Sequence, residues 1–488
     1  MTRRTLQTLG LSITAFGFLL RLVALIRVQP NHPDEFFQYL EPAWRRISGA
    51  GIITWEWREG LRSWVLPGYL GAWMRALAWL GLRGSALGLA LRVHWVVVSL
   101  LLVWAGWRGG AMIARAESIE SPRAAPSDDA GVVGGILGAA LCAGFPLLVT
   151  FSTDMLTELP STIGVVWALV ITGELVGQGP TASKRSAAAI GSLLGLGLGL
   201  RVQHAPAALV VGLCLLAARR YRALGIAFVT GALTLGLFGV VDWFTWGGIF
   251  SSYIGYVNFN LVQGGAAQFG VEPWYWYGVR YSNRLPNMLA VLLIVPIVGI
   301  RSTWPFVLTA TSLLSLLSTQ PHKEERFALL CWPLLLIAWA GVVGAWLAPR
   351  LRSGGPQRPI SVGRQIERGS WLLACVGLGA GILVDGALHF QGTEFNLPLA
   401  RYEAQGWVGR QADASGLLYD DLLGGGGYLW LGRTFPQVEF NSSLLDNPIF
   451  THALVERGSN HEQLAKSAHF VEVYSKGDFV VLRRASRL

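Results

Sequence analysis

"LGLSITAFGFLLRLVALIRVQPNHPDEFFQYLEPAWRR" covers Leu9 to Arg46, and its two halves call for different solvents. Leu9 to Val28 is almost entirely apolar and matches the ~20 residues that a bilayer-crossing helix needs. It lacks the small-residue end of a cleaved signal peptide, and Arg3 and Arg4 precede it. It therefore reads as a retained span with its N-terminus in the cytoplasm. The chain then leaves the apolar run and presents His32, Asp34 and Glu35 close together.

Composition extends the reading to the whole chain. Hydrophobic residues make up 52% of the 488 and charged ones only 14%, which points to an all-α polytopic membrane protein rather than several soluble domains. Further apolar runs fall at 86–107, 131–151, 158–177, 187–202, 205–218, 223–243, 287–300, 303–319, 326–347 and 371–389, giving about eleven spans. Several are shorter than a straight crossing, notably the pair split by His204 and Pro206, so broken or partly embedded helices are expected.

With the N-terminus inside, the cytoplasmic connections collect Arg108, Arg115, Arg123, Lys184, Arg185, Arg219, Arg220, Arg222 and Arg301, then five arginines between 350 and 368. These residues account for much of the net charge of +10, so the charge is not a nucleic-acid signal. The division expected is 1–390, a membrane unit with a large first exterior loop at 30–85, and 391–488, an exterior α/β domain of short strands with a hairpin at Lys476-Gly477. All four cysteines sit in apolar runs and imply neither disulfides nor zinc. Only four of the 39 basic residues are lysines, which with abundant Ala and Gly suggests a GC-rich bacterial genome. The expected location is a bacterial inner membrane with the polar loops facing the periplasm, or the endoplasmic reticulum if the source is eukaryotic.

Three polar clusters fall on the exterior side. In the first, Pro33, Asp34 and Glu35 suit a helix start. Phe36, Leu40, Trp44 and Ile47 recur at helical spacing opposite Asp34, Gln38, Glu41 and Arg45, which describes a helix lying in the membrane interface and bent at Pro42. That helix would hold Asp34 and Glu35 facing water, with Asp34 ionised as a general base requires. The second cluster, "GIITWEWREGLRSWVLPGY" from Gly51 to Tyr69, mixes Trp55, Trp57 and Trp64 with Glu56, Glu59, Arg58 and Arg62. An interfacial aromatic belt and a sugar-binding surface both fit it. The same two readings apply to the loop from Tyr256 to Pro286, which carries Trp274, Tyr275, Trp276 and Tyr277.

The third cluster is "TQPHKEERF", Thr319 to Phe327. It is either a solvated turn, or an anion site in which His322, Lys323 and Arg326 offer donors to a phosphate. Asp154 with Glu158, and Arg201 with Gln203 and His204, are weaker features at span ends. A carboxylate base, an anion site and aromatic platforms on one side of a membrane protein suit sugar transfer from a lipid-linked phosphate. The phosphate is already a good leaving group, and direct displacement inverts the anomeric centre.

The residues also resemble a known family. "HPDEFFQ" at His32–Gln38, "TWEWREGLRS" at Thr54–Ser63, "YGVRYSNRLP" after "VEPWYWY", and "HKEERF" at His322–Phe327 resemble, in the same order, the family 22 mannosyltransferases of the glycosyltransferase-C (GT-C) superfamily. Glu325 stands where that pattern carries an aromatic residue. The resemblance implies a GT-C fold, Asp34 as catalytic base with Glu35 beside it, and His322, Lys323 and Glu324 in the later motif, where the anion-site reading puts His322, Lys323 and Arg326 at the donor phosphate. It places His32, Trp55, Glu56, Arg62 and Trp274 around the substrates. It implies metal-independent inverting transfer without a cofactor, a polyprenyl-phosphate-sugar donor, a glycolipid or glycan acceptor, and membrane lipid as the surroundings. Two other readings remain. One is a transporter or flippase of a lipid-linked glycan, which should carry its polar groups near the bilayer midplane. The other is a related transferase acting on protein or lipid A.

Overall fold

The computed structural model describes residues 3–27, 32–120, 127–177, 183–351, 362–390, 399–422 and 426–485. The expected cytoplasmic loops around 115–130 and 350–370 lie partly outside these residues, as does the Gly-rich run at 423–425. Each of the eleven apolar runs is occupied by a helix, from Arg3–Arg27 through Gly84–Glu120 and Glu158–Gly177 to Val362–Leu388. By length and composition, however, only five are fit to cross a bilayer alone: Thr5–Ile26, Gly84–Ser118, Glu158–Gly177, Tyr221–Trp246 and Glu325–Leu351. Two bent pairs bring the number to seven among the described residues, one turning by 60° at Phe145 and the other by 107° between Arg284 and Leu289. The remaining runs hold the broken or partly embedded helices expected from the sequence. Apolar runs interrupted by Pro or by polar breaks form shorter helices, such as Val202–Ala217 and Leu373–Leu388, whose lost backbone bonds need protein rather than lipid around them.

The helix Cys331–Leu351 is apolar on every side and lies in the middle of the protein, with 94% of its apolar window buried. Beside it, Gly84–Glu120 and Ser127–Gly144 touch backbone to backbone. A methyl group on Gly106, Gly110, Gly134 or Gly138 would overlap the carbonyl of the facing helix. Dispersion between closely approached backbones is a main source of helix association where lipid removes the hydrophobic drive. By contrast, Tyr221–Trp246 has 17% of its window buried and exposes Phe228, Leu233, Leu237 and Phe244, which suits a lipid-facing surface.

The C-terminal part carries a helix, Leu399–Gly409, and a five-stranded mixed sheet: β1 (Leu417–Tyr419), β2 (Gln437–Glu439), β3 (His452–Glu456), β4 (Phe470–Lys476) and β5 (Phe479–Arg484), in the order β2-β1-β3-β5-β4. β1 runs parallel to β2 and β3, whereas β5 is antiparallel to β3 and β4. The β4–β5 hairpin turns at Gly477-Asp478, where Gly477 takes a positive φ of 54°. Tyr428–Leu431, apolar enough to read as a strand, is instead one helical turn. The Glu41 carboxylate accepts from the N–H groups of Tyr428 (2.7 Å) and Leu429 (3.1 Å), satisfying the donors that a helix start leaves open. Trp430 then packs against Gly88 of the long membrane helix, so the sheet unit is fastened to the helical body.

Candidate active site

The segment after the first helix is a π-helical turn, Glu35–Leu40, running into the helix Glu41–Ser48. π-turns leave one residue of slack per turn and recur at functional sites. Here the turn separates two adjacent carboxylates. Asp34 occupies the cap position without a side-chain capping bond, so helix-start chemistry does not use its carboxylate. It reaches instead to Arg326, whose Nη2 donates to Oδ2 at 2.6 Å across 292 residues of sequence. Among the described residues Oδ1 takes no partner, and the side chain is 27% exposed into a cavity.

Glu35 points the other way. It is fully buried, accepts the N–H of Met155 at 3.2 Å, and does not line the cavity. Burial first, and the nearby Asp154 second, push its carboxyl above the ordinary range. The segment is therefore not an interfacial helix with a wet polar face. Gln38 is buried in the cavity wall, and Glu41 is buried because the C-terminal unit covers its side, where Phe36 stacks on Tyr402 at 5.1 Å.

The cavity measures about 370 Å³. Its acidic wall is a charge network centred on Arg326. Glu324 accepts from Arg326 Nε at 2.6 Å and from Nη2 at 3.0 Å, and it lies 3.0 Å from His32 Nε2 and 2.8 Å from His322 Nε2. Burial would raise the Glu324 carboxyl, but Arg326 and hydrogen bonds from both histidines hold it well below the carboxylate range. Burial acts upward on Asp34 too, and Arg326, His32 and Arg62 outweigh it, leaving its carboxyl below the ordinary value. Asp34 is thus ionised with one oxygen available, whereas Glu324 is consumed by its partners.

The network continues to further arginines, because Glu158 Oε1 also lies 3.5 Å from Arg326 Nε. Arg201 pairs with the buried Glu158 at 2.6 Å and stacks over Phe327 at 5.0 Å. Arg62 pairs with Glu56 and sits 5.6 Å over the ring of Tyr256. Gln203, Tyr253, Asn260, Phe259 and Phe269 line the cavity as well. Polar groups gather where helices begin and end: Arg201 closes Lys184–Leu200, Glu158 opens Glu158–Gly177, and Glu324 and Arg326 precede Cys331–Leu351.

Of the residues singled out from sequence, His32, Asp34, Glu56, Arg62, His322 and Arg326 share this cavity. Lys323 does not. It is 4% exposed, and its Nζ donates to the carbonyls of Glu272, at 3.0 Å, and of Gln320, so it pins two loops together. Trp274 is 75% exposed and stands away from the cavity. Trp55 touches it indirectly, through Phe259 at 5.0 Å and Phe269 at 6.3 Å. Tyr277 and Tyr281 of the aromatic loop turn inward and donate to the carbonyls of Glu324 (3.2 Å) and Ala328 (3.1 Å). Glu325 is clamped by Arg284 at 2.5–2.7 Å, which links two of the sequence motifs and gives the acid at this position a buried partner. Sequence reasoning gave too little weight to Glu158, Arg201 and Gln203. The signal for Arg201 and Gln203 was the polar break "RVQH" between two apolar runs, and that for Glu158 was the acidic pair in "STDMLTELPS" at a span's end.

A many-helix membrane protein with a charged cavity at its helix ends and a small appended sheet has the architecture of a GT-C enzyme. The solved structure of ArnT from Cupriavidus metallidurans bound to undecaprenyl phosphate superposes with a TM-score of 0.62 at 12% identity, covering 98% of both chains. Its apo form gives 0.57 at 12% identity over 97% of both. The sequence profile of the Alg9-like mannosyltransferase family matches residues 12–378, and the chain belongs to that family. It is similar to the GPI alpha-1,2-mannosyltransferase 3 of Danio rerio, 27% identical over 68% of this chain and 60% of that protein. It is also similar to the GPI mannosyltransferase 3 of Yarrowia lipolytica, 28% identical over 64% of this chain and 58% of that protein. The chain therefore aligns with about three fifths of the length of these relatives. Together with its apolar helices, the family makes it an integral membrane protein.

Proposed function

We propose that the protein is a membrane mannosyltransferase that moves mannose from a polyprenyl-phosphate-linked donor to a hydroxyl of a glycolipid or glycan acceptor. The observation that carries this reading is Asp34: an ionised carboxylate with one oxygen unpartnered, facing a cavity lined by three arginines. The family and the names of its relatives supply mannose, and the undecaprenyl phosphate held by the structurally similar ArnT supplies the donor class.

In this reading the acceptor oxygen attacks the anomeric carbon as the bond from that carbon to the phosphate oxygen breaks. Asp34 takes the hydroxyl proton, and the polyprenyl phosphate departs with the electron pair, so the anomeric centre inverts. Arg62, Arg201, Arg326 and His322 are the groups placed to stabilise the phosphate charge, and no metal or cofactor is assigned to the step. Each arginine already holds a carboxylate, which fixes its guanidinium before the donor arrives. Polar groups at helix ends favour an enzyme over a transporter, whose site would interrupt helices near the midplane.

The test is transfer of radiolabel from polyprenyl-phosphate-mannose to membrane extract by purified protein, with identification of the labelled product. Transfer that persists in chelator and falls at least about 10²-fold in Asp34→Asn is expected; absence of any mannose transfer sinks the reading. We place the cavity on the periplasmic side of a bacterial inner membrane. A reporter active only outside the cytoplasm, fused after Leu488, should then give signal.

A further inference from the structure

A second cavity, of about 600 Å³, opens at the far end of the helix Val65–Trp79. Val65 and Leu66 line the first cavity, and Arg75 and Ala78 line this one. The rise of roughly ten helical residues puts the two about 15 Å apart. Three arginines, Arg75, Arg83 and Arg433, face it across a floor of Trp44, Ile47 and Phe435, and no acidic residue among the described ones lines it. Arg433 is fixed in place: Nη1 donates to the Gln411 carbonyl at 2.6 Å, and the guanidinium lies 5.1 Å over the Phe435 ring. Arg75 and Arg83 are exposed and make no ion pair among the described residues, in contrast to the arginines of the first cavity, all of which hold a carboxylate.

A cluster of arginines with no acid among the described residues around it attracts anions, and paired guanidinium forks match phosphate oxygens. The neighbourhood indicates where the phosphate comes from. Trp79 and Leu80, between Arg75 and Arg83, are 86% and 67% exposed. Tyr69 and Trp73 on the same helix are 43% and 38% exposed. Exposed aromatic and aliphatic side chains beside unpaired arginines form the edge of a protein that sits at headgroup depth. We propose that this cavity holds the phosphate headgroup of an anionic membrane phospholipid, with Trp79 and Leu80 against its acyl region. The site does not depend on the transfer reaction.

The test uses the full chain in nanodiscs of phosphatidylcholine with increasing phosphatidylglycerol. It measures lipid retained in native mass spectrometry and the unfolding temperature. At about 1 kcal/mol for each arginine at a membrane surface, Arg75→Gln with Arg83→Gln should weaken phosphatidylglycerol retention about 30-fold. Because neither side chain has an ion-pair partner among the described residues, the double variant should melt like the wild type in phosphatidylcholine alone. Arg75→Lys with Arg83→Lys, which keeps the charge, should retain most of the binding and guards against a folding artefact. Equal phosphatidylglycerol retention by the wild type and the Gln pair overturns the site. Protection by inorganic phosphate equal to that by phosphatidylglycerol overturns the lipid source in favour of a soluble anion.

Discussion

Replacing Asp34 by Asn separates the two reasons an acid can stand at this position. Arg326 loses one charged partner but keeps Glu324 at 2.6 and 3.0 Å and Glu158 at 3.5 Å, and Asn still offers an oxygen to Nη2. The stability cost should therefore be about 1 kcal/mol, that of weakening one hydrogen bond to a charged group that keeps other partners. The catalytic cost should be far larger, because the proton acceptor is gone: a fall of 10²- to 10⁴-fold in transfer rate at saturating donor, typical of general-base loss. Glu35→Gln is the matched control. Burial and Asp154 push the Glu35 carboxyl up, so Gln imitates a form it already favours, and the rate should change less than about fivefold. The assay is single-turnover transfer with donor bound, beside thermal unfolding of both variants. If Asp34→Asn keeps most of the activity while Glu35→Gln is inactive, the roles are reversed and the orientation of the two carboxylates has been misread. If both remain active, the base lies elsewhere.

Three further outcomes follow from particular contacts. Glu41, buried against the N–H groups of Ile52, Tyr428 and Leu429, has its carboxyl raised to about 7 from 4.5, burial outweighing those hydrogen bonds. A raised acid favours the folded state when protonated, so the Glu41 contribution to stability should be fully present below pH 4.5 and be lost, by about 3 kcal/mol, as pH rises through 7. Glu41→Gln should flatten that slope in unfolding curves between about pH 5 and pH 8; an unchanged slope rules out Glu41 as its source. Lys323→Ala should cost about 1–3 kcal/mol of stability, because two part-buried loop carbonyls lose a charged donor, while leaving the donor KM unchanged. A raised KM in a stable variant would return Lys323 to the donor site. Arg62→Ala should lower kcat/KM for donor about tenfold, and adding Glu56→Gln should not restore it if Arg62 contacts phosphate rather than only neutralising Glu56; full recovery in the pair would show the reverse.

The membrane architecture was legible because hydropathy is a local property: each apolar run identified from composition holds a helix, and the order of the short motifs carried the family. Crossing number was less legible, because whether a short apolar helix spans, bends or stays embedded depends on what covers its broken ends. Motif letters also marked which segments meet in the cavity but not which side chains do. His32, Asp34, His322 and Arg326 come together, while Glu35 and Lys323, each adjacent in sequence to one of them, point into protein. That division is made by the π-turn after Asp34, by Phe36 packing on Tyr402, and by loop carbonyls that capture Lys323. Arg201 and Glu158 were visible only as a polar break and a helix start, since their meaning lies in a 2.6 Å pair between two different helices. Sequence determined the solvent and the chemical groups available; tertiary structure decided their partners, because charge pairing across hundreds of residues is fixed by packing and not by spacing along the chain.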